Sequence, residues 1–136
     1  MKKILFSLLT LVLGLVLSGS NCSGPDPIPE VSNIRNLKAP TANITAISAH
    51  ITYDLDKDAT VYWMVYLSTA DAPDAATIQA QGAAVWKKEP VPVPKGNDWS
   101  NTITGLVANT SYTLYMVDET ADGLGKVVKI TFTTKM

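Results

Sequence analysis

The sequence predicts an all-β domain, a sandwich or a barrel of short strands, and three observations lead to this prediction. From about residue 33 onward, short segments rich in β-branched and aromatic residues dominate the chain. Turn-forming residues separate them at regular spacing, notably Gly105 and the triplet at 121–123. Helical composition is confined to one short segment, which argues against a chain of alternating strands and helices.

Residues 1–21 have the three-part pattern of a secretory signal peptide rather than that of a folded element. Lys2 and Lys3 precede an apolar run that ends at Leu17, and small residues follow. Because the run is short for a membrane-spanning helix, it predicts export, with a retained N-terminal anchor as the alternative.

Cys22 follows directly, and its placement resembles the lipobox of bacterial lipoproteins, in which a lipidated cysteine becomes the mature N-terminus. Asn21 and Gly19 depart from the residues usual in that motif. Cys22 is the only cysteine of the chain, and a free thiol would be a liability in an exported protein. Residues 22–33 form a Pro-rich tether. We expect a lipid on Cys22 to hold the protein to a membrane of the cell envelope, with plain signal cleavage as the alternative.

The predicted strands then follow in order. They are residues 50–53, 60–67, 100–103, 111–117 and 126–133. After the second strand, Pro73 and an Ala-rich run that ends at Gly82 predict a short helix. Pro90, Pro92 and Pro94 predict an extended segment that guards a sheet edge.

Three motifs resemble fibronectin type III domains. In the segment 106–112, Leu106 and Tyr112 match the corner before that family's strand F, although Ala108 replaces its usual proline. The segment 62–66 resembles the family's strand C, and 130–134 resembles the end of its last strand.

This resemblance implies an immunoglobulin-like (fibronectin type III-like) antiparallel β-sandwich over residues 34–136. Residues 68–97 would then be an insertion after strand C that contains the short helix. Tyr53 stands where the family has a tryptophan in strand B. Tyr112 is expected to bury its ring and to donate its hydroxyl to upstream backbone, as a structural corner with Leu106.

Strand alternation suggests a candidate binding surface. If Tyr62 and its alternate neighbours point inward, Trp63 and Val65 point outward and meet Tyr115 and Val117 of the adjacent strand. Such an apolar patch is explained either by cover from residues 68–97 or by a partner or glycan surface. Trp86 is the most exposed aromatic residue that the sequence predicts, because charged residues follow it.

Composition and spacing argue against most chemistry. Eleven basic and twelve acidic residues predict no nucleic-acid partner, and one histidine and one cysteine leave few catalytic or metal ligands. Asp54, Asp56 and Asp58 alternate like the start of a calcium loop, but that loop's glycine and bidentate glutamate are missing. We therefore predict no enzyme, no cofactor and no metal.

Two further groups of titratable residues are candidates for catalysis. They are His50 on the one hand and Asp118, Glu119 and Asp122 on the other. No nucleophile motif accompanies His50, and acids of this kind are common in turns.

The resemblance implies a non-catalytic binding or adhesion module, or a component of an envelope complex, with a protein or glycan ligand. The alternative is a carbohydrate-binding accessory protein that uses exposed aromatic residues. A minimal enzyme ranks last.

Overall fold

A computed structural model describes residues 31–136, in which two antiparallel sheets pack face to face. The strands are β1 (Ile34–Lys38), β2 (Ser48–Leu55), β3 (Ala59–Leu67), β4 (Trp86–Val93), β5 (Gly96–Thr104), β6 (Ser111–Thr120), β7 (Gly123–Leu124) and β8 (Val128–Thr133). One short helix, α1, spans Ala75–Gln79. The predicted signal peptide, Cys22 and most of the tether lie outside the described residues.

Sheet 1 has the strand order β1-β2-β5, and sheet 2 begins with β4-β3-β6. Two strands share the remaining side of β6: β8 pairs with its first half and β7 with its end. The predicted all-β sandwich is therefore confirmed, and the barrel alternative is wrong.

The core lies between the sheets and follows from strict alternation in β2. Every second side chain of this strand is buried: Ala49, Ile51, Tyr53 and Leu55. Trp63 of β3 fills the centre, with Tyr53 packed edge-on at 5.3 Å between ring centroids. An aromatic pair therefore joins the two sheets.

The C-terminal part of segment 68–97, the predicted insertion, forms strands of the sandwich. Trp86–Val93 form β4, an edge strand beside β3, and Gly96 already begins β5. The prolines of this segment argued against a paired strand, because proline has no N–H to donate. An edge strand tolerates them because it pairs on one side only. The predicted role of the prolines at a sheet edge is consistent with this placement.

Helix α1 occupies part of the segment that remains between β3 and β4. Asp74 caps it by accepting a hydrogen bond from the Thr77 backbone N–H at 2.7 Å. The Thr77 side chain, and after it this backbone N–H, lower the pKa of the Asp74 carboxyl. The helix places Ile78, which is fully buried, against the outer face of sheet 2. Within residues 31–136, no helix is long and apolar enough to cross a bilayer.

Candidate binding surface

The orientation predicted for β3 is wrong. Trp63 and Val65 point into the core, where they are 1% and 0% exposed, and Tyr62 points outward. Alternation alone could not decide this, because both faces of β3 are apolar. The register decides it: Trp63 lies opposite Met116 of β6, and cross-strand partners share a face.

An outer apolar patch does exist with the two predicted residues of β6, but Met64 takes the place of Trp63 and Val65 in it, and the patch is covered. Met64, Tyr115 and Val117 form it, and together with Ile78 of α1 they make one buried cluster. Tyr115 therefore lies on the predicted face, yet it is only 5% exposed. Of the two explanations for the patch, cover from within the chain is the one that the structure supports.

Trp86 is half-buried rather than exposed. Its ring meets Trp63 edge-on at 6.5 Å between centroids and packs against the main core. In the described part of the chain, every tryptophan, tyrosine and phenylalanine is buried or half-buried. The aromatic surface expected for stacking on sugars is therefore not displayed.

Tyr112 and Leu106 form the predicted corner, with both side chains buried. The Tyr112 hydroxyl accepts a hydrogen bond from the Val107 backbone N–H at 3.0 Å. The partner is upstream backbone as predicted, but the tyrosine accepts where it was expected to donate. Thr134 completes the corner by donating to the Val107 carbonyl at 2.6 Å.

The three alternating aspartates of the β2–β3 turn do not converge. Each has a different partner: Asn36 of β1 for Asp54, the neighbouring Arg35 for Asp56, and the Lys95 backbone for Asp58. Across residues 31–136, no group of three or more His, Cys, Asp or Glu residues could hold a metal ion. The polar turn accounts for the pattern that resembled a calcium loop.

The other titratable candidates also have separate roles. His50 lies on the outer face of sheet 1, with Nδ1 at 3.2 Å from the Thr102 hydroxyl. Asp118, Glu119 and Asp122 contact different groups and do not form a pair that faces one site.

Asp118 is a buried carboxylate whose role the sequence analysis missed. It accepts hydrogen bonds from the Ser32 hydroxyl at 3.0 Å, the Asn33 backbone N–H at 3.2 Å and the Asn33 side-chain amide at 2.6 Å. Gly125 is required beside it, because a Cβ there would lie 2.5 Å from the carboxylate oxygen. A signal was present: Asp118 is the inward acid that follows Leu114 and Met116 in alternation.

The same end of the sandwich brings three turns together. We call this end the loop end and define it as residues 54–60, 92–98 and 118–125. An ion pair between Lys57 and Asp122, 2.9 Å between Nζ and Oδ2, joins the first turn to the last. The Asp98 backbone N–H donates to Asp54 at 2.8 Å and attaches the middle turn.

Two grooves open at the loop end. The first, of about 530 Å³, is called the acidic groove because Asp58 and Glu119 are its only charged lining residues. The second, of about 450 Å³, is called the paired groove because its acids, Asp56 and Asp122, each have a cationic partner in the same wall. Thr120 belongs to both linings.

Hydrogen bonds fix both carboxylates of the acidic groove. Asp58 accepts from the Lys95 backbone N–H at 2.7 Å, and Glu119 accepts from the Tyr62 hydroxyl at 2.5 Å. The hydrogen bond to Glu119 raises the pKa of Tyr62. Within the described residues, neither Asp58 nor Glu119 forms an ion pair.

Comparisons with known proteins bear on the fold. No protein-family model matches the sequence, and no curated protein matches it significantly. Among solved structures, one described as a myokine is similar over 80% of this chain and 100% of its own, at 12% identity and a TM-score of 0.51. A fibronectin type III domain of human collagen XX is similar over 81% of this chain and 100% of its own, at 12% identity and a TM-score of 0.48.

The FN5 domain of Drosophila Lar is similar over 80% of this chain and 99% of its own, at 16% identity and a TM-score of 0.42. Two antiparallel sheets in this strand order, with a buried tyrosine corner, form a fibronectin type III-like, immunoglobulin-like sandwich. At identities this low the likeness concerns the fold alone.

Proposed function

We propose that the protein is a non-catalytic binding module of the cell envelope that recognises a partner protein through its loop end. The observation that carries the proposal is the convergence of three turns, fixed to one another by side chains, around two open grooves. Preorganised loops on a rigid sandwich are a common arrangement for recognition, because little conformational entropy is lost on binding.

Site-specific photo-crosslinking tests this surface. A photoreactive residue at Ala121 of the loop end is compared with one at Thr102 on sheet 1 and one at Val107 at the opposite end, all three exposed. With the full chain and an envelope extract of the producing cells, we expect a saturable crosslinked product from Ala121 alone. Products from Thr102 or Val107 alone would place recognition on another surface.

We also propose that Cys22 carries a lipid that holds the module to a membrane. The support is the sequence pattern: an apolar leader, small residues and a single cysteine ahead of a Pro-rich tether. A single acyl chain binds membranes only marginally, so stable attachment needs more than one. Labelled fatty acid should enter the wild-type chain and not Cys22→Ser, and only the wild type should sediment with membranes.

A further inference from the structure

The acidic groove lies at the loop end of sheet 2 and includes part of the outer face, just beyond the area that α1 covers. Glu119, Thr60 and Pro92 stand opposite one another on β6, β3 and β4, so their side chains share this face. Neighbouring strands are roughly 4.8 Å apart, so the three residues span about 10 Å. In the next row on this face, Val117 is already covered by the helix cluster.

The walls of the groove combine apolar and acidic surface. Its apolar lining consists of Ala59, Pro92, Val93, Pro94 and Ala121. Thr60 and Thr120 add hydroxyl groups. The carboxylates of Asp58 and Glu119 are the only charges, and both are held in place by a hydrogen bond from the protein. A ligand that fits must therefore present an apolar stem and a positive head.

The paired groove differs from the acidic groove in the ion pairing of its carboxylates. Its acids are already neutralised, with Arg35 at 2.6 Å from Asp56 and Lys57 at 2.9 Å from Asp122. A cation gains least beside a carboxylate that already has a cationic partner, and most beside one that has none. Charge complementarity therefore selects the acidic groove.

We propose that the acidic groove receives a lysine or arginine side chain from an extended segment of the partner protein. The methylene stem lies along the proline and alanine wall, and the charged head lies between Asp58 and Glu119. Because Pro92 has no N–H to offer a further strand, side-chain capture rather than strand addition provides the specificity. This inference rests on the proposed binding function and names the chemistry of its ligand.

A labelled peptide tests the inference on the full chain in a nonionic detergent. The probe is a nine-residue peptide of alternating threonine and lysine, and its matched control has glutamine in place of lysine. We expect fluorescence anisotropy to show saturable binding of the lysine peptide and at least about fivefold weaker binding of the glutamine peptide. Equal binding of the two peptides, or binding of neither, would overturn the inference.

Four charge-neutralising variants locate the site. Glu119→Gln keeps an oxygen that can accept from Tyr62, and it should weaken lysine-peptide binding about fivefold, as should Asp58→Asn. Asp56→Asn removes the same charge from the paired groove, and Asp71→Asn removes it from an exposed position after β3; both should change binding by less than about twofold. Equal losses of peptide affinity in all four variants would mean that the acidic surface attracts the peptide in general. That result would contradict a specific site in the acidic groove.

The two proposals fail in different ways. If the Ala121 crosslink persists in Glu119→Gln and the lysine peptide does not bind, the groove inference is wrong and the binding function stands. If n-butylammonium alone binds as tightly as the peptide, the groove is a site for small amines, and the inference about a partner protein is also wrong.

Discussion

Tyr112 shows at the scale of one residue how a side chain fixes a loop. Its ring is buried in the core, and its hydroxyl accepts the Val107 N–H. Tyr112→Phe leaves that N–H without its partner, so we expect the free energy of unfolding to fall by about 1 kcal/mol in urea denaturation. Tyr66→Phe is the control, because within the described residues the Met64 sulfur, at 3.9 Å, is the only hydrogen-bond partner of its hydroxyl. Equal losses of stability in Tyr112→Phe and Tyr66→Phe would contradict a stabilising role for the Tyr112 hydroxyl.

Asp118 holds the beginning of the described chain to sheet 2. Asp118→Ala removes the acceptor of the Ser32 and Asn33 groups, and we expect a loss of about 3 kcal/mol in the free energy of unfolding. Hydrogen exchange at the Asn33 amide should quicken in the same variant. Asp122→Ala, which removes only an exposed ion pair, should have little effect. An unchanged Asn33 amide in Asp118→Ala would be incompatible with this role.

Tyr53 makes stability depend on alkaline pH. Burial raises the pKa of Tyr53 from 10.0 to about 12, so the folded state favours the neutral phenol. The resulting stability is fully present below pH 10 and is lost as pH rises towards about 12. Urea denaturation at pH 8, 10 and 11 should show a smaller alkaline loss in Tyr53→Phe than in the wild type. An equal alkaline loss of stability in Tyr53→Phe and the wild type would show that a group other than Tyr53 causes it.

Residue types predicted the Tyr112 corner but not the hydrogen bonds of Asp118 to Ser32 and Asn33. The segment at 106–112 carries a local motif, whereas the Asp118 contacts join residues 85 and 86 positions apart in the sequence. No local pattern encodes such a pair. The only indication was Asp118 itself, an acid at an inward position of β6. Such a position indicates a buried hydrogen-bond partner but does not identify it.

At the scale of elements, α1 covers part of the outer face of sheet 2 and does not present a binding surface of its own. Ile78→Ala should lower the free energy of unfolding by about 3 kcal/mol, because it leaves a cavity above Met64 and Tyr115. Binding of a hydrophobic dye should increase as the outer patch becomes accessible. Ile47→Ala, at an exposed isoleucine, should change stability by less than about 0.5 kcal/mol. An Ile78→Ala variant as stable as the wild type would mean that the helix is not a cover.

Sequence patterns located most strands and the helix but not the faces of β3. Alternation is informative in β2, where polar residues occupy one face, and it fails in β3, where apolar residues occupy both. The register with β6 and the packing of α1 determine which face of β3 points into the core. Both depend on residues distant in the sequence. The edge strand β4 was recognised as an extended edge segment but not as a paired strand, because of its prolines.

At the scale of the whole molecule, the two ends of the sandwich differ in character. The loop end contains seven acids: Asp54, Asp56, Asp58, Asp98, Asp118, Glu119 and Asp122. The opposite end exposes Ile47 and Val107. The fold class followed from the sequence because it depends on strand count and turns. The grooves did not, because they exist only where turns distant in the sequence meet.

The most direct test of loop-end recognition is a hydrogen–deuterium exchange footprint of the full chain, recorded with and without the envelope fraction that crosslinks to it. We predict slower exchange of amides in the turns at 56–59 and 120–125, with those of β2 and β5 unchanged. Slower exchange confined to sheet 1, or to the turn at 105–110 at the opposite end, would contradict the account.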